Sequence, residues 1–283
     1  MPHRSRCARS PLFSPPVLRS LALGAALAGA ASGAQAWELK VCADPNAMPQ
    51  SNSDRDGYEN KIIETVAEAI GAEIDYVWWT VSPSMIKDQL REGHCDVLIG
   101  MPDGTESVLG TLAYYRSPYA FVYRSTEDYE ITRFDDPILA ELQIGTTTEG
   151  NSTHLAFARR GYLDNLHASA ANAGTNSAAR FTDLLENVAN GTLDVALPWG
   201  PVAGYYAAQY DGALTVTPVP EFDFPMIPMY HSIIMVTRIG DESLRDLLDI
   251  GIAERWEEIY EILAAYHVPT LDMPRPRVSV EGQ

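Results

Sequence analysis

Residues 93–97 read Gly93-His94-Cys95-Asp96-Val97, and residues 191–195 read Gly191-Thr192-Leu193-Asp194-Val195. Each run follows a segment with helical periodicity, and its glycine ends that helix before an Asp-Val pair opens a strand. The two units also begin alike, with Glu-Leu-Lys-Val at 38–41 and Glu-Leu-Gln-Ile at 141–144. The same order of strand, helix, glycine and strand therefore occurs twice, which predicts two α/β lobes of similar design.

Strands and helices alternate in the first unit. Short apolar strands are predicted at 39–43, 73–79 and 97–100, with a helix at 58–70 between the first two. A further helix should follow Ser82-Pro83 and end at Gly93. This alternation predicts a parallel sheet built from right-handed crossovers.

The last third of the chain is expected to return to the first lobe. Residues 218–228 are rich in proline, which is typical of a crossing segment, and a strand at 232–236 follows. A largely helical stretch at 241–266 then has one predicted buried stripe: Leu244, Leu247, Leu248, Ile252, Trp256, Ile259 and Leu263. We expect lobe 1 at 37–128 and 224–283 and lobe 2 at 129–223, with a hinged cleft between them.

The segment 1–36 has the features of a secretory signal peptide. Four arginines precede a short apolar run at 21–31, and Ala34-Gln35-Ala36 is a typical cleavage site. Cleavage after Ala36 and export to the periplasm are expected, although an uncleaved anchor is the alternative reading. No later segment is apolar enough to span a membrane.

The chain of 283 residues has a formal net charge of −18. Such acidity argues against nucleic acid as the main partner, because phosphate binding requires a basic surface. Acidic surfaces instead steer basic partners. Removal of the signal peptide would make the chain more acidic, since that segment holds four arginines and no acid.

Two cysteines, Cys42 and Cys95, remain after the signal segment. An even pair in an oxidising compartment predicts a disulfide. A metal pair or a redox pair are weaker readings, because the two cysteines lie far apart and lack ligand spacing.

Motifs for other chemistry are weak or missing. Residues 52–57 resemble the start of a calcium loop, but the bidentate acid would fall on Ile63, so a solvated turn is favoured. Residues 145–150 suit either an anion-binding turn or a plain turn. The chain has no nucleophile elbow, no phosphate loop and no zinc-protease signature, so we expect no catalysis, no cofactor and no metal.

The order of Gly57-Tyr58-Glu59, the run 95–100 (Cys-Asp-Val-Leu-Ile-Gly) and the run 114–119 (Tyr-Tyr-Arg-Ser-Pro-Tyr) resembles the family 3 periplasmic solute-binding proteins. This resemblance covers nearly all of 37–267 and implies an α/β, two-lobed periplasmic-binding-protein type II fold with an interlobe cleft. Amino-acid binders of the family hold the ligand with an arginine and an aspartate. The matching positions here are Ser107 and Trp199, which removes both charge-assisted contacts, each worth about 1.5–3 kcal/mol.

A closer resemblance is to the J proteins of methanol oxidation (MoxJ, MxaJ and XoxJ). It rests on the runs 41–46 (Val-Cys-Ala-Asp-Pro-Asn), 76–79 (Tyr-Val-Trp-Trp) and 198–201 (Pro-Trp-Gly-Pro). One departure is the run 47–50, Ala-Met-Pro-Gln, at the lip of the cleft. The resemblance implies a partner, a PQQ-dependent methanol or alcohol dehydrogenase, which this protein would help to mature or activate. The alternative function is a solute receptor of an ABC transporter for a small ligand that is not an amino acid.

The candidate cleft residues are mostly aromatic and follow predicted strand ends, where open α/β sheets bind ligands. Trp199 is the strongest candidate, since it occupies the position of a ligand-binding carboxylate. Arg116 is either a remaining anion contact or part of a salt bridge within a lobe, and the second is favoured. Core packing is the favoured role of Tyr205 and Tyr206. The full set predicted to bind a ligand or partner is Asp44, Met48, Trp78, Trp79, Tyr115, Arg116, Tyr119 and Trp199.

Overall fold

A computed structural model describes residues 37–80, 84, 86–147, 151–168 and 177–278, with side chains of the last range from 182 onward. The predicted signal peptide 1–36, with its cleavage site after Ala36, lies outside the described residues. Within the described ranges, no helix is both long and apolar enough to cross a bilayer.

The chain up to residue 118 builds most of one sheet and its first helix. Its elements are β1 (Trp37–Ala43), β2 (Asn46–Ala47), β3 (Ser51–Asn52), α1 (Tyr58–Ala69), β4 (Ala72–Trp78), β5 (Val97–Pro102), β6 (Leu109–Gly110) and β7 (Tyr115–Pro118). The helix predicted to end at Gly93 is a π-helical segment, Ile86–Arg91, within its described part. Residues 82, 83 and 85 of that prediction lie outside the described ranges.

The middle of the chain builds a second sheet. Its elements are β8 (Ala120–Arg124), β9 (Ile144–Thr146), α2 (Ser152–Ala158), β10 (Leu166–Ala168), α3 (Ser177–Ala189), β11 (Val195–Leu197), α4 (Gly200–Ala207) and β12 (Leu214–Pro218). The chain then forms a two-stranded hairpin and returns, with β13 (Phe222–Asp223), β14 (Ile227–Pro228), β15 (Tyr230–Thr237), α5 (Glu242–Glu254) and α6 (Trp256–Ala265).

Both main sheets are mixed, which corrects the prediction of a parallel sheet. The first has the order β4-β1-β5-β15-β6, with β7 also paired to β15, and the second has the order β10-β9-β11-β8-β12. Strands β1, β4 and β5 are parallel, but β15 is antiparallel to β5. In the second sheet β8 is likewise antiparallel to β11. The physical reason is that β8 and β15 are the strands that arrive from the other sheet, not from a helical crossover.

The chain changes sheets earlier than the predicted boundary at 128. Strand β7 pairs within the first sheet and β8 within the second, so Tyr119 is the crossing residue. The second crossing lies between β12 and β15, in the proline-rich stretch 218–228. We call the first sheet with α1, α5 and α6 the first lobe, and the second sheet with α2, α3 and α4 the second lobe.

Apolar faces of the helices cover each sheet. In the first lobe Ile62 and Val66 of α1 pack with Leu248 of α5 and Ile259 of α6. The long helix predicted at 241–266 is two helices, which meet at Arg255. Six of its seven predicted stripe residues are buried, whereas Leu247 is exposed.

The disulfide prediction is confirmed. Cys42 at the end of β1 is joined to Cys95 just before β5, with 2.01 Å between the sulfur atoms. The pair packs with Leu90 and Leu98 on the sheet face opposite α1. The chain between the cysteines, which are 53 positions apart in sequence, therefore forms a closed loop within the first lobe.

Candidate functional site

The two crossings meet in a cluster of aromatic side chains. The Tyr119 hydroxyl is 3.0 Å from Nε2 of His231 on β15, and the edge of Trp199 faces the same imidazole. Tyr119 and Trp199 also pair through a single β-bridge. The Trp199 indole N–H donates to the Ser117 carbonyl oxygen at 3.0 Å. Burial lowers the pKa of His231, which favours the neutral imidazole.

Trp199 joins the cores of both lobes. Its ring packs against apolar residues of each lobe, and its backbone caps α4 by accepting from Val202 and Ala203. The sequence predicted that Trp199 would bind a ligand in the cleft. The structure places Trp199 between the lobes, with its indole N–H donated to a backbone carbonyl, and its role in binding stays a prediction.

Arg116 lies next to this cluster on β7. Its Nε donates to the Ser232 hydroxyl at 3.1 Å, and its guanidinium lies over the Tyr230 ring. These contacts hold Arg116 to β15 by a hydrogen bond to an uncharged hydroxyl and by a cation–π contact. They differ from the salt bridge that the sequence favoured.

Helix α4 rests on the first lobe along its two glycines, Gly200 and Gly204. A Cβ atom at Gly204 would overlap the carbonyl oxygen of His267, and one at Gly200 would overlap that of Pro118. Only glycine permits such close backbone approach. The return segment 266–271 also lies against α4, because a Cβ atom at Gly200 would be 2.7 Å from Cγ of Pro269, and the Pro269 carbonyl oxygen accepts the Ser117 hydroxyl of β7 at 2.6 Å.

Two tyrosines of α4 extend the contact between the lobes. The Tyr206 hydroxyl donates to the Met48 carbonyl oxygen at 2.9 Å, and Tyr205 stacks on Tyr266 with 5.9 Å between ring centroids. The Tyr266 hydroxyl in turn donates to the carbonyl of Asp56. Residues that the sequence assigned to ordinary core packing therefore bridge the two lobes.

Asp44 and Met48 lie in the loop that follows β1. Asp44 is buried, and its Oδ1 accepts the Asn46 N–H at 2.8 Å, while its carbonyl accepts the Ser51 hydroxyl. These bonds fix the β2–β3 hairpin that carries Met48. The predicted departure from the family at Met48 thus falls where the first lobe meets Tyr206 of α4.

Trp78 and Trp79 are at the end of edge strand β4. Trp78 stacks on Tyr76, with ring centroids 4.6 Å apart and planes inclined by 8°. The guanidinium of Arg55 lies over the Tyr76 ring. Trp79 is 42% exposed, and its backbone N–H donates to Ala43. Of the predicted residues, Trp79 is the one most open to solvent in the described structure.

Tyr115 is wholly buried in the first lobe and lies on a network that the sequence did not predict. Its hydroxyl donates to Oε1 of Glu59 at 2.9 Å, and the Tyr114 hydroxyl donates to Oε2 at 2.5 Å. The Tyr58 hydroxyl is 3.0 Å from that of Tyr115. A buried carboxylate is thus surrounded by three buried phenols.

Burial dominates the electrostatics of this network. It raises the pKa of Glu59 to about 7, although the two tyrosine hydroxyls act in the opposite direction. The pKa of Tyr114 is raised well above its usual value, first by burial and then by the charge of Glu59. The network therefore gains or loses one proton near neutral pH.

The predicted site residues form separate groups. Tyr119, Arg116 and Trp199 meet at the crossings, Asp44 and Met48 lie at the contact with α4, the two tryptophans lie on β4, and Tyr115 is in the core. Sequence analysis missed Glu59 and His231 as site residues. Glu59 follows Gly57-Tyr58, a run that carried the family resemblance, but only the fold shows that it is buried.

A surface pocket of about 280 Å³ lies on the second lobe, away from the crossings. Its walls come from β10, α3 and the loops beside them, and none of the predicted site residues lines it: Gln143, His167, Ala168, Asp183, Leu184, Asn187, Thr192 and Leu193. Among the described residues, no group of three or more metal-ligating side chains converges.

The chain is similar in sequence to a protein named MoxJ. Protein MoxJ of Methylorubrum extorquens strain AM1 is 30% identical over 257 residues, which make up 86% of this chain and 85% of that protein. No family model matches the chain.

Solved structures give the same answer for the fold. MxaJ from Methlophaga aminisulfidivorans MPT superposes with a TM-score of 0.74 at 23% identity, over 82% of this chain and 100% of that one. The periplasmic binding protein XoxJ from Methylobacterium extorquens AM1 superposes with a TM-score of 0.69 at 28% identity, over 83% and 100%. The predicted two-lobed, type II periplasmic-binding-protein fold is confirmed, and the chain belongs to the MoxJ family.

Proposed function

We propose that this protein is a periplasmic, solute-binding-like accessory protein of a PQQ-dependent methanol or alcohol dehydrogenase system, where it assists maturation or activation of the dehydrogenase without catalysing a reaction. The proposal rests on membership of the MoxJ family and on the J-type sequence runs at 41–46 and 198–201. The acidic chain is suited to a partner with a basic face.

The observation that carries the proposal is the contact of Trp199. Where an amino-acid receptor would hold its ligand with a carboxylate, this chain has an indole whose N–H is already donated to Ser117. The second expected ligand contact falls on Ser107, an exposed residue. Both positions lack the charges that a free amino acid requires, which supports a role other than amino-acid uptake.

Packing between the lobes supports the same conclusion. The backbone of α4 at Gly204 rests directly on His267, and Tyr206 is bonded to the lip at Met48. Receptors that capture a solute need a hinge that opens and closes. Direct backbone contact favours a fixed two-lobed surface.

Deletion of the gene, with complementation by the wild-type gene, tests the proposal. We expect the deletion strain to lose most PQQ-loaded dehydrogenase and its alcohol-oxidising activity, and complementation to restore both. Dehydrogenase protein should remain detectable by immunoblot, because the defect concerns maturation and not synthesis. An unchanged level of active holoenzyme in the deletion strain would overturn the proposal.

The second candidate is a solute receptor, and the exposed Trp79 next to the stacked Tyr76 and Trp78 is the observation that favours it. A thermal-shift screen with small neutral and aromatic compounds tests this reading. A saturable rise in melting temperature that Trp79→Ala abolishes would support a receptor. No stabilisation by any compound would leave the accessory role as the better account.

A further inference from the structure

The hairpin formed by β13 and β14, residues 222–228, presents large apolar side chains to solvent. Phe224 is 84% exposed and Met226 is 70% exposed. Single exposed apolar residues are ordinary on protein surfaces, but two of this size at one hairpin tip form an apolar projection. Such projections are typical of protein interfaces, where aromatic residues and methionine are enriched.

The base of the hairpin is held firmly to the second lobe. Asp223 is buried and forms a two-pronged ion pair with Arg160, with bonds of 2.6 and 2.9 Å. Ile227 packs against the second-lobe core, and the Met226 N–H donates to the Asp223 carbonyl at 2.8 Å. A fixed base lets the tip present its side chains without the ordering entropy that a flexible loop would lose on binding.

The same hairpin also contacts the first lobe. Phe222 meets the Tyr230 ring edge-on at 5.8 Å, and the guanidinium of Arg116 lies over that ring. Met226 adopts a φ of +133°, which residues with a side chain rarely adopt. The hairpin therefore projects from the second crossing between the lobes, with a strained backbone at Met226.

Charge decides what kind of surface fits the tip. Residues 218–229 hold no lysine or arginine, and of their two acids Asp223 is paired with Arg160, so the negative charge near the tip comes from Glu221 and from the chain as a whole, which has 38 acidic and 20 basic residues. A second copy of the chain would carry the same negative charge, and anionic lipid headgroups would also repel it. The complementary surface is an apolar pocket of another protein with lysines and arginines at its rim.

We propose that the 222–228 hairpin is the element that docks this protein onto its partner, with Phe224 and Met226 entering an apolar pocket that has a basic rim. The proposal rests on the accessory function proposed above, and it names the surface through which that function acts. Docking here would place the partner across the second crossing, next to Tyr230 and Arg116.

The proposal is tested by measuring the affinity of this protein for the dehydrogenase of the same organism, with the dehydrogenase purified from that organism. The variant Phe224→Ser/Met226→Ser should weaken binding by about thirty-fold or more, because two apolar side chains lose their burial. Ile239→Ser is the matched control, since Ile239 is 72% exposed in the turn after β15. Its affinity should stay within about two-fold of wild type. Both variants should keep the wild-type melting temperature, which excludes misfolding as the cause.

The outcomes separate this inference from the proposed function. If wild-type protein shows no binding to the dehydrogenase, the proposed function fails and the docking role fails with it. If wild type binds and the double variant binds equally well, only the docking inference is wrong. Dissociation constants that do not rise with salt would contradict the basic rim.

Two further measurements ask whether the hairpin binds a second copy of the chain or a lipid surface. Sedimentation velocity would contradict the proposal if wild type forms a dimer that the double variant loses. Flotation with phosphatidylglycerol vesicles would contradict it if the tip residues are needed for vesicle binding.

Discussion

Asp96 in the first lobe and Asp194 in the second occupy matching positions and make matching contacts. In the first lobe the Asp96 carboxylate accepts the Lys40 N–H at 3.0 Å, and the Asp96 N–H donates back to the Lys40 carbonyl at 2.8 Å. Arg238 then binds both the Asp96 carboxylate and the carbonyl oxygen of Cys95. One acid thus ties the middle of β1 at Lys40 to the start of β5 and to the end of β15.

The second lobe repeats the arrangement with different residues. Asp194 accepts the Gln143 N–H at 2.8 Å and donates its own N–H to Gln143 at 2.9 Å. Arg124 binds the Asp194 carboxylate and the carbonyl oxygen of Leu193. In both lobes the arginine lies at the end of the strand that arrives from the other lobe, β15 or β8. The repeated Asp-Val pair is therefore a joint that locks each crossing strand into its sheet.

The lobes differ one residue away from this joint. The first lobe has the Cys42–Cys95 disulfide, whereas the matching positions of the second lobe are Gly145 and Leu193. A Cβ at Gly145 would lie 2.6 Å from Leu193 Cδ1 and 2.7 Å from Leu184 Cδ1. In the second lobe, leucine side chains packed against Gly145 therefore fill the space that the disulfide occupies in the first lobe.

Of the changes that test this comparison, removal of the disulfide should have the largest effect on the free energy of unfolding. Cys42→Ala/Cys95→Ala opens a loop of 53 residues, and loop-closure entropy predicts a loss of about 4 kcal/mol in the free energy of unfolding. Urea unfolding under non-reducing conditions measures it. The comparison variant is Leu193→Ala in the second lobe, which should cost about 2–5 kcal/mol by creating a cavity. A loss under about 1 kcal/mol in the cysteine variant would show that packing alone holds the first lobe.

The second difference is the buried Glu59 of the first lobe, which should make stability depend on pH. Its pKa in the folded chain is about 7, above the ordinary value of 4.5. Stabilisation by the protonated group is therefore complete below pH 4.5 and is lost as the pH rises through 7. The loss is on the order of 3 kcal/mol. Glu59→Gln should remove this slope and raise the melting temperature at pH 8.

Asp249 provides the control for that experiment. It is also buried, and burial raises its pKa to about 6 while the Leu112 N–H acts against the shift. Asp249→Asn should alter the stability profile below pH 6 and leave the fall between pH 6 and 7 in place. A Glu59→Gln protein with the wild-type slope between pH 5 and 7 would contradict the assignment to Glu59.

The matching joints predict matching losses. Asp96→Ala and Asp194→Ala each remove a carboxylate that accepts a backbone N–H and binds arginine, so each should cost about 2 kcal/mol. Chemical unfolding of both variants measures the losses, which should agree within about 0.5 kcal/mol. Glu127→Ala is the control, because Glu127 is partly exposed, binds Arg124 without contacting either strand start, and should cost less than about 1 kcal/mol. Losses that differ by more than about 1 kcal/mol would show that the joints are not equivalent.

The contact between the lobes should give the smallest effect. Trp199→Phe keeps an aromatic ring between the lobes and removes the N–H bond to Ser117, at a cost of about 1 kcal/mol in unfolding free energy. Trp79→Phe, at an exposed position, should change stability by less than about 0.5 kcal/mol. Equal stabilities of the two variants would mean that the Trp199 hydrogen bond does not hold the lobes together.

The sequence predicted the helices and strands that depend on neighbouring residues. Periodic apolar residues with glycine stops predicted α1 at 58–70, and the structure has it at Tyr58–Ala69. It was less successful where distant segments meet, because no local pattern reports which strand arrives from the other lobe. The mixed sheets and the crossing at Tyr119 are of this kind.

The candidate site shows the same division. Aromatic residues at strand ends were identified, but their roles depend on what packs against them. Tyr115 is buried on Glu59, and Trp199 has given its N–H to a backbone carbonyl. The packing role of the α4 glycines had no local signal, since their importance lies in the close approach of His267 and Pro118 from far along the chain.

By itself, the sequence determined that the chain has two α/β units of one design, a pair of cysteines to link and an acidic surface, because periodicity, spacing and charge are properties of the residues in order. The tertiary structure alone decided the rest. It buried Glu59 among tyrosines, placed Trp199 between the lobes and projected Phe224 into solvent, because burial and contact depend on segments that lie far apart in the chain.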